Sequence, residues 1–270
     1  MIINDDKRFV FVHIPKCAGT SVRVHLVDFD TTGGAFSASD GVVPGIGRVD
    51  LAHLPLGLLR EHFPDVFAKV RDYETFAILR DPFKRFSSSL FQRLSMYGGG
   101  DARSASSEQL VATVDAAIGV LEGFGPDAVL PYDFIHFQPQ VSYIDLDGTR
   151  VVGHVYDIDD LAAFFTAVDA QLGGVFADPA ALTGKRAGAA SFYRSPAVRG
   201  VAGLLGPRTV MRLAGAVPES LKRPLRRMVF ESKADRFIEI IASERVTGFI
   251  REFYARDITL YDAVRGAGSA

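Results

Sequence analysis

The chain has 270 residues, 48% of them hydrophobic and 23% charged, with a formal net charge of −2. This is enough apolar material for one sizeable core, and the near-neutral balance excludes the global basic field that marks many nucleic-acid binders. The single cysteine, Cys17, excludes an intramolecular disulfide framework and fits a reducing compartment.

The opening MIINDDKRF is too charged for a signal peptide, and no apolar run reaches the roughly 18 residues of a membrane span. The expectation is a cytoplasmic protein. Phe9, Val10, Phe11, Val12 and Ile14 then form a buried strand, ended by Pro15, which has no N–H to continue a ladder. Gly19, Thr20 and Ser21 open a helix running through Val22, Val24 and Leu26. Such a turn aims backbone N–H groups and the positive end of a helix dipole at one point. Lys16 adds a charge and Thr20 and Ser21 add hydroxyls, giving an anion cradle suited to phosphate or sulfate. The plainer alternative is an ordinary strand–loop–helix joint.

A Gly-rich surface loop is expected over Thr31–Gly47, then a short strand, Arg48–Ala52, which would set His53 at the carboxyl end of the sheet. Leu56–His62 reads as a helix and Tyr73–Leu79 as a strand leading into RDPFKRFSSS at Arg80–Ser89. There Asp81 suits an N-cap and Pro82 a first helical turn, with the helix continuing to Met96. Arg80 at the strand's end and Ser88 two turns on can meet a second phosphate, Arg80 through a charge-assisted fork. By itself the stretch also reads as a capped helix with solvated Arg80, Lys84 and Arg85.

Gly98–Ser107 is polar and small, a mobile-loop composition, and Glu108–Leu121 is helical in pattern. Gln140, in Phe137-Gln138-Pro139-Gln140, reads as part of a turn or as a polar wall of a site. Val151–Tyr156 reads as a strand and Ile158–Leu172 as a helix capped by Asp157 or Asp159. Arg208, Arg212, Lys222, Arg223, Arg226 and Arg227 lie among apolar residues. They suit either the exposed face of a packed helix or a peripheral surface for an acidic polymer or lipid headgroup. Amphipathic segments over Glu244–Tyr254 and on through Tyr261 close the pattern. The alternation predicts βα units around a parallel sheet, one domain spanning 1–270, with a cofactor core near 9–95 and acceptor-side and C-terminal helices over 108–262.

Competing phosphate sites are absent as strings. There is no GxxxxGK[ST], since Gly184-Lys185-Arg186 fails at the last position, and no GxGxxG, HExxH or GxSxG. The six histidines are scattered without metal-ligand pairing, so no metal is expected.

Two stretches, His13-Ile14-Pro15-Lys16-Cys17-Ala18-Gly19-Thr20-Ser21 and Arg80-Asp81-Pro82 with Arg85 and Ser88, together resemble sulfotransferases that use 3′-phosphoadenosine 5′-phosphosulfate. The likeness is to the carbohydrate and membrane-associated branch, whose motifs are close to HIPKTGGTS and RDPxxRxxSxY. Cys17 and Ala18 replace the commoner Thr and Gly, and Leu90 stands where an aromatic residue is usual. The resemblance implies a P-loop NTPase-like three-layer α/β fold. It implies a donor site made from Lys16, Cys17, Ala18, Gly19, Thr20 and Ser21, with Arg80 and Ser88 on the 3′-phosphate. Arg186, in a late basic loop, would close over that phosphate. Ala52-His53-Leu54-Pro55 resembles the segment carrying the proposed catalytic base, for which an imidazole is apt. In this reading His53 takes the acceptor proton, Lys16 stabilises developing charge, the acceptor is a hydroxyl or amine of a carbohydrate or small or lipid-linked molecule, and no metal or nucleic acid takes part. Two other classes share the cradle: a non-catalytic nucleotide-binding protein, and a nucleotide kinase on a related fold.

Overall fold

A computed structural model describes residues 1–37, 40–98, 105–183, 191–193, 200, 230–232 and 240–267. The chain divides into two compact units. One comprises Met1–Arg85, Phe124–Ala187 and Ile250–Ala270, the other Phe86–Gly123 and Gly188–Phe249. Arg186, the arginine-rich stretch 208–227 and residues 99–104 of the expected mobile loop lie outside the described residues.

The first unit is built on a four-stranded sheet of β1 (Ile2–Asn4), β2 (Phe9–Val12), β5 (Glu74–Leu79) and β8 (His154–Asp157), in that spatial order. β2 pairs parallel with β5, Phe11 opposite Phe76, and β5 parallel with β8, Phe76 opposite His154. β1 pairs antiparallel with β2, Ile2 opposite Phe11. The sheet is therefore mixed, where the residue pattern predicts a parallel one. The expectation missed β1 because three residues before a charged turn carry no readable period. All four residues of β2 and five of six in β5 are buried, the continuous apolar pattern of strands covered on both faces.

Helix α1 (Gly19–Leu26) follows β2 and buries Gly19, Val22 and Leu26. Next comes a hairpin of β3 (Gly41–Val43) and β4 (Gly47–Val49), turning through Gly45 and Gly47 at φ +88° and +82°. Thus the strand predicted at Arg48–Ala52 is three residues long and belongs to a separate hairpin. Its continuation, Leu51–His53, is a 3-10 turn capped by Asp50, whose carboxylate accepts from the Ala52 N–H at 3.0 Å. Two helices, α2 (Leu56–His62) and α3 (Pro64–Asp72), lead to β5. After β5 comes α4 (Pro82–Tyr97), capped as expected, with the Asp81 carboxylate accepting from the Lys84 N–H at 2.9 Å.

The short pair β6 (Asp145–Leu146) and β7 (Thr149–Arg150) precedes β8. β8 begins later than predicted, because the N–H groups of Val151 and Val152 donate to the Ile144 carbonyl and that of Gly153 to the Thr75 hydroxyl. Asp157 caps a 3-10 turn, and Asp160, rather than Asp159, caps α6 (Leu161–Leu172). Phe164 of α6 meets Phe11 and Phe76 edge-on, at centroid distances of 5.6 and 6.5 Å, which closes the core over the sheet.

The second unit contains α4 from Phe86 onward and α5, which spans Ser107–Phe124 and buries Leu110, Val114, Ala117, Ile118 and Leu121 at helical spacing. It also holds β9 (Ser191–Tyr193) paired antiparallel with β10 (Phe230–Ser232), and most of α7 (Glu244–Phe253). Phe86 meets Phe249 at 5.8 Å, and Arg245 pairs with Asp115. The last helix, α8 (Ala255–Ala267), returns to the first unit. No described helix is long and apolar enough to cross a membrane.

Candidate active site

The turn from β2 to α1 is held in an unusual backbone conformation. Lys16 and Ala18 sit at φ 66° and 62°, in the left-handed region that costs an L-residue about 1–2 kcal/mol. Ala18 is the N-cap, and its carbonyl accepts from the Ser21 and Val22 N–H groups at 2.9 and 3.1 Å. Gly19 can be nothing else, because a Cβ there would lie 1.6 Å from Nε2 of His13, whose ring covers it. The spacing His13…Gly19 therefore has a steric cause. Thr20 is exposed and Ser21 half-buried at the helix start.

What holds the turn comes from far away in sequence. Arg80 Nη1 donates to the Lys16 carbonyl at 3.2 Å, so the second motif fastens onto the first. Gln140 bonds both polar groups of the Arg80 peptide, accepting from its N–H and donating to its carbonyl, each at 2.9 Å. Its Oε1 also accepts from the Cys17 thiol at 3.2 Å. Gln140 is fully buried, and Asp257 of α8 anchors it, the carboxylate accepting from the Gln140 and Val141 N–H groups at 2.8 and 2.9 Å. Burial pushes the Asp257 pKa up, opposed by Arg85, whose Nη2 lies 3.7 Å from Oδ2, and by those two N–H groups. Arg85 is 1% exposed and donates to the carbonyls of His136 and Phe137. The solvated-helix alternative thus fails at Arg85, which is a core guanidinium.

Electrostatics in the turn follow from this enclosure. Burial, and then the Arg80 charge, push the Lys16 ammonium down to about 8. Burial pushes the Cys17 thiol up to about 12, so it is a protonated tether to Gln140 rather than a nucleophile. Because the thiol points inward, only the backbone of Cys17 can contribute to an anion cradle.

His53 is fastened to the same segment, at His13. Its Nδ1 lies 2.9 Å from the His13 carbonyl oxygen. A carbonyl can only accept, so Nδ1 carries the hydrogen and Nε2 the lone pair. The His13 and His53 rings lie 4.2 Å apart between centroids, and His136 lies 5.7 Å from His53. Burial holds His53 down to about 3 and His136 down to about 4, and likewise pushes His13 well below the ordinary imidazole value. His53 is thus neutral throughout the working range.

The histidines are not all scattered, as the sequence suggests. Ligand atoms of Asp50, His53 and His136 lie within 4.8 Å of one another. Desolvation raises the Asp50 carboxyl to about 6. Asp50 and His53 also line a cavity of about 240 Å³ walled largely by apolar side chains.

Of the residues singled out from the sequence, Lys16, Cys17, Gly19, Arg80 and His53 are drawn together through direct contacts within the first unit. Ser88 is buried on α4, in the second unit. Arg186 lies outside the described residues. Sequence reasoning missed Asp50 and His136 altogether, met Asp257 only within a terminal Tyr-x-x-Asp…Tyr pattern expected to pack on the sheet edge, and weighed Gln140 only as a turn or a wall. The Pro-Gln string was the available signal for Gln140. His136 had none, because its partners are set by tertiary contact alone.

Residues 1–96 match a family model described as "Sulfotransferase family". No curated protein and no solved structure matches the chain. The matched segment contains the whole turn, the Arg80 motif and His53. Over that segment, about a third of the chain, the protein is similar to the sulfotransferase family.

Proposed function

We propose that the protein transfers the sulfuryl group of 3′-phosphoadenosine 5′-phosphosulfate to a hydroxyl group. The observation that carries this reading is that Arg80 and His53 are both hydrogen-bonded to the backbone of the His13–Ser21 segment, at Lys16 and at His13. An anion cradle, a cation bridging to it and a neutral base beside it form the minimal set for in-line transfer without covalent help from the protein.

The acceptor oxygen forms a bond to sulfur as the bond from sulfur to the bridging phosphate oxygen breaks. The hydroxyl proton passes to Nε2 of His53, and adenosine 3′,5′-bisphosphate leaves. Lys16 and the N–H groups at the start of α1 stabilise the charge that grows on the departing phosphate. Arg80 takes the 3′-phosphate. In this reading His53 is a base kept neutral by burial, so activity does not decline on its account until the pH nears about 3.

Isothermal titration with adenosine 3′,5′-bisphosphate in EDTA, against ATP with magnesium, tests the reading. The bisphosphate binds without metal, and Arg80→Ala weakens it about 10- to 150-fold, as loss of a charge-assisted contact of roughly 1.5–3 kcal/mol requires. Preference for magnesium ATP overturns the proposal in favour of a kinase. Binding of bisphosphate without turnover of any hydroxyl acceptor reduces the protein to a nucleotide binder.

A further inference from the structure

We propose that the acceptor is a small alcohol or phenol with an apolar body, not a sugar. The proposal rests on the sulfotransferase reading, because it assigns the hydroxyl-bearing substrate of that same site. The cavity of about 240 Å³ beside His53 takes its polar lining from Asp50 and His53, with Arg48 and Tyr132. Its walls are Val49, Leu54, Leu58, Leu130, Pro131 and Ile135. Its volume falls below the roughly 300–1,000 Å³ of pockets for drug-sized ligands, so the occupant is small.

The polar groups near those walls are already engaged. Arg48, which also lines the cavity, donates from Nε and Nη2 to the Asp40 carboxylate at 2.9 and 2.8 Å, and its guanidinium lies 4.1 Å over the Tyr132 ring. The Leu130 N–H donates to Gln138 Oε1 at 2.7 Å. A sugar ring carries hydroxyls around its whole rim. Those turned to Leu54, Leu58 and Ile135 would lose their water and find no side-chain partner there, at about 5- to 150-fold in affinity apiece. A molecule with one hydroxyl has one polar end to satisfy, and Asp50 with Nε2 of His53 supplies that end.

The test uses the full chain with sulfur-labelled donor and three acceptors: 4-ethylphenol, cyclohexylmethanol and methyl galactoside. The expected result is a kcat/KM at least 100-fold higher for one or both apolar acceptors than for the sugar. Leu58→Gln, at a half-buried wall position, should raise the KM of the preferred acceptor about tenfold while leaving bisphosphate affinity unchanged. The ranking on the unaltered protein decides the matter even where the variant folds poorly. Equal or better use of the sugar overturns the proposal. So does failure of both apolar acceptors in a protein that binds the bisphosphate. A protein that does not bind the bisphosphate overturns the sulfotransferase reading instead.

Discussion

Gln140 pairs with the peptide of Arg80 as a neighbouring strand would, accepting from its N–H and donating to its carbonyl, each at 2.9 Å. The same Oε1 receives the Cys17 thiol. One buried side chain therefore fixes both halves of the candidate donor site. Its own amide N–H is fixed in turn by Asp257.

Replacing Gln140 by Leu keeps the volume and leaves the Arg80 N–H and carbonyl without their partner. Each buried unsatisfied group costs about 1–3 kcal/mol. Gln140→Leu should lower stability by a few kcal/mol in urea unfolding and weaken bisphosphate binding more than tenfold. Gln140→Glu keeps the acceptor and loses only the donor, so it should fall between the two. A leucine variant with parental affinity would show that the Arg80 peptide needs no such support.

Gly19→Ala puts a methyl group where the His13 ring stands, 1.6 Å from Nε2. The ring must leave, and with it the 4.2 Å contact to His53. Overpacking of this kind costs about 1–3 kcal/mol. The expected outcome is a thermal midpoint lowered by several degrees together with lost turnover. A simultaneous His13→Ala change, which vacates the space, should restore most of the stability but not the activity.

Lys16 has its folded pKa depressed to about 8. Its ammonium is therefore present below that pH and lost above it, and kcat/KM should fall on the alkaline side with a midpoint near 8. Anionic donor favours the charged form, so the same limb in kcat should lie higher. Lys16→Ala should lower kcat by on the order of 10²–10³ if the charge acts in the transition state. A change confined to KM would mark Lys16 as a ground-state contact.

The buried imidazoles predict how stability responds to acid. His13, His53 and His136 all have folded pKa values below the roughly 6.5 of an unfolded chain. Below 6.5 the unfolded chain takes up protons that the folded one refuses. Stability therefore falls as pH drops through the window from 6.5 towards 4 for His136 and 3 for His53. Each contributes a slope of up to about 1.4 kcal/mol per pH unit. The α-amino group of Met1, lowered from 8.0 to about 5 by burial, adds to the fall. Asp50, raised to about 6, works the other way, since the folded protein gains its proton first. The net expectation is a urea midpoint that drops between pH 6.5 and 4, less steeply in His53→Asn. A midpoint flat across that range would contradict the burial of these rings.

The parts of the fold visible in the sequence are those written in local pattern. β2 and β5 announce themselves as unbroken apolar runs, and α4 by Asp81 and Pro82 at its start. The His13–Ser21 turn is legible for the same reason, since Pro15 and Gly19 punctuate it. α3 was overlooked because Pro64 follows α2 directly and reads as a stop, although Pro suits the first turn of a new helix. His53 was singled out, but its setting was misjudged, because nothing local distinguishes a strand of the central sheet from one arm of a hairpin. Gln140 and Asp257 were illegible as supports. Their partners lie 60 and 117 residues away, and no short-range rule reaches that far.

The anchoring of Gln140 by Asp257 sets an order of assembly. During synthesis the His13–Ser21 turn, the Arg80 motif and Gln140 all emerge well before the residue that locks them. A nascent chain ending short of α8 would already hold every part proposed to touch the donor, yet with the Gln140 and Val141 N–H groups unclaimed. Competence would then be acquired in one late step, as the last helix docks, rather than gradually along the chain.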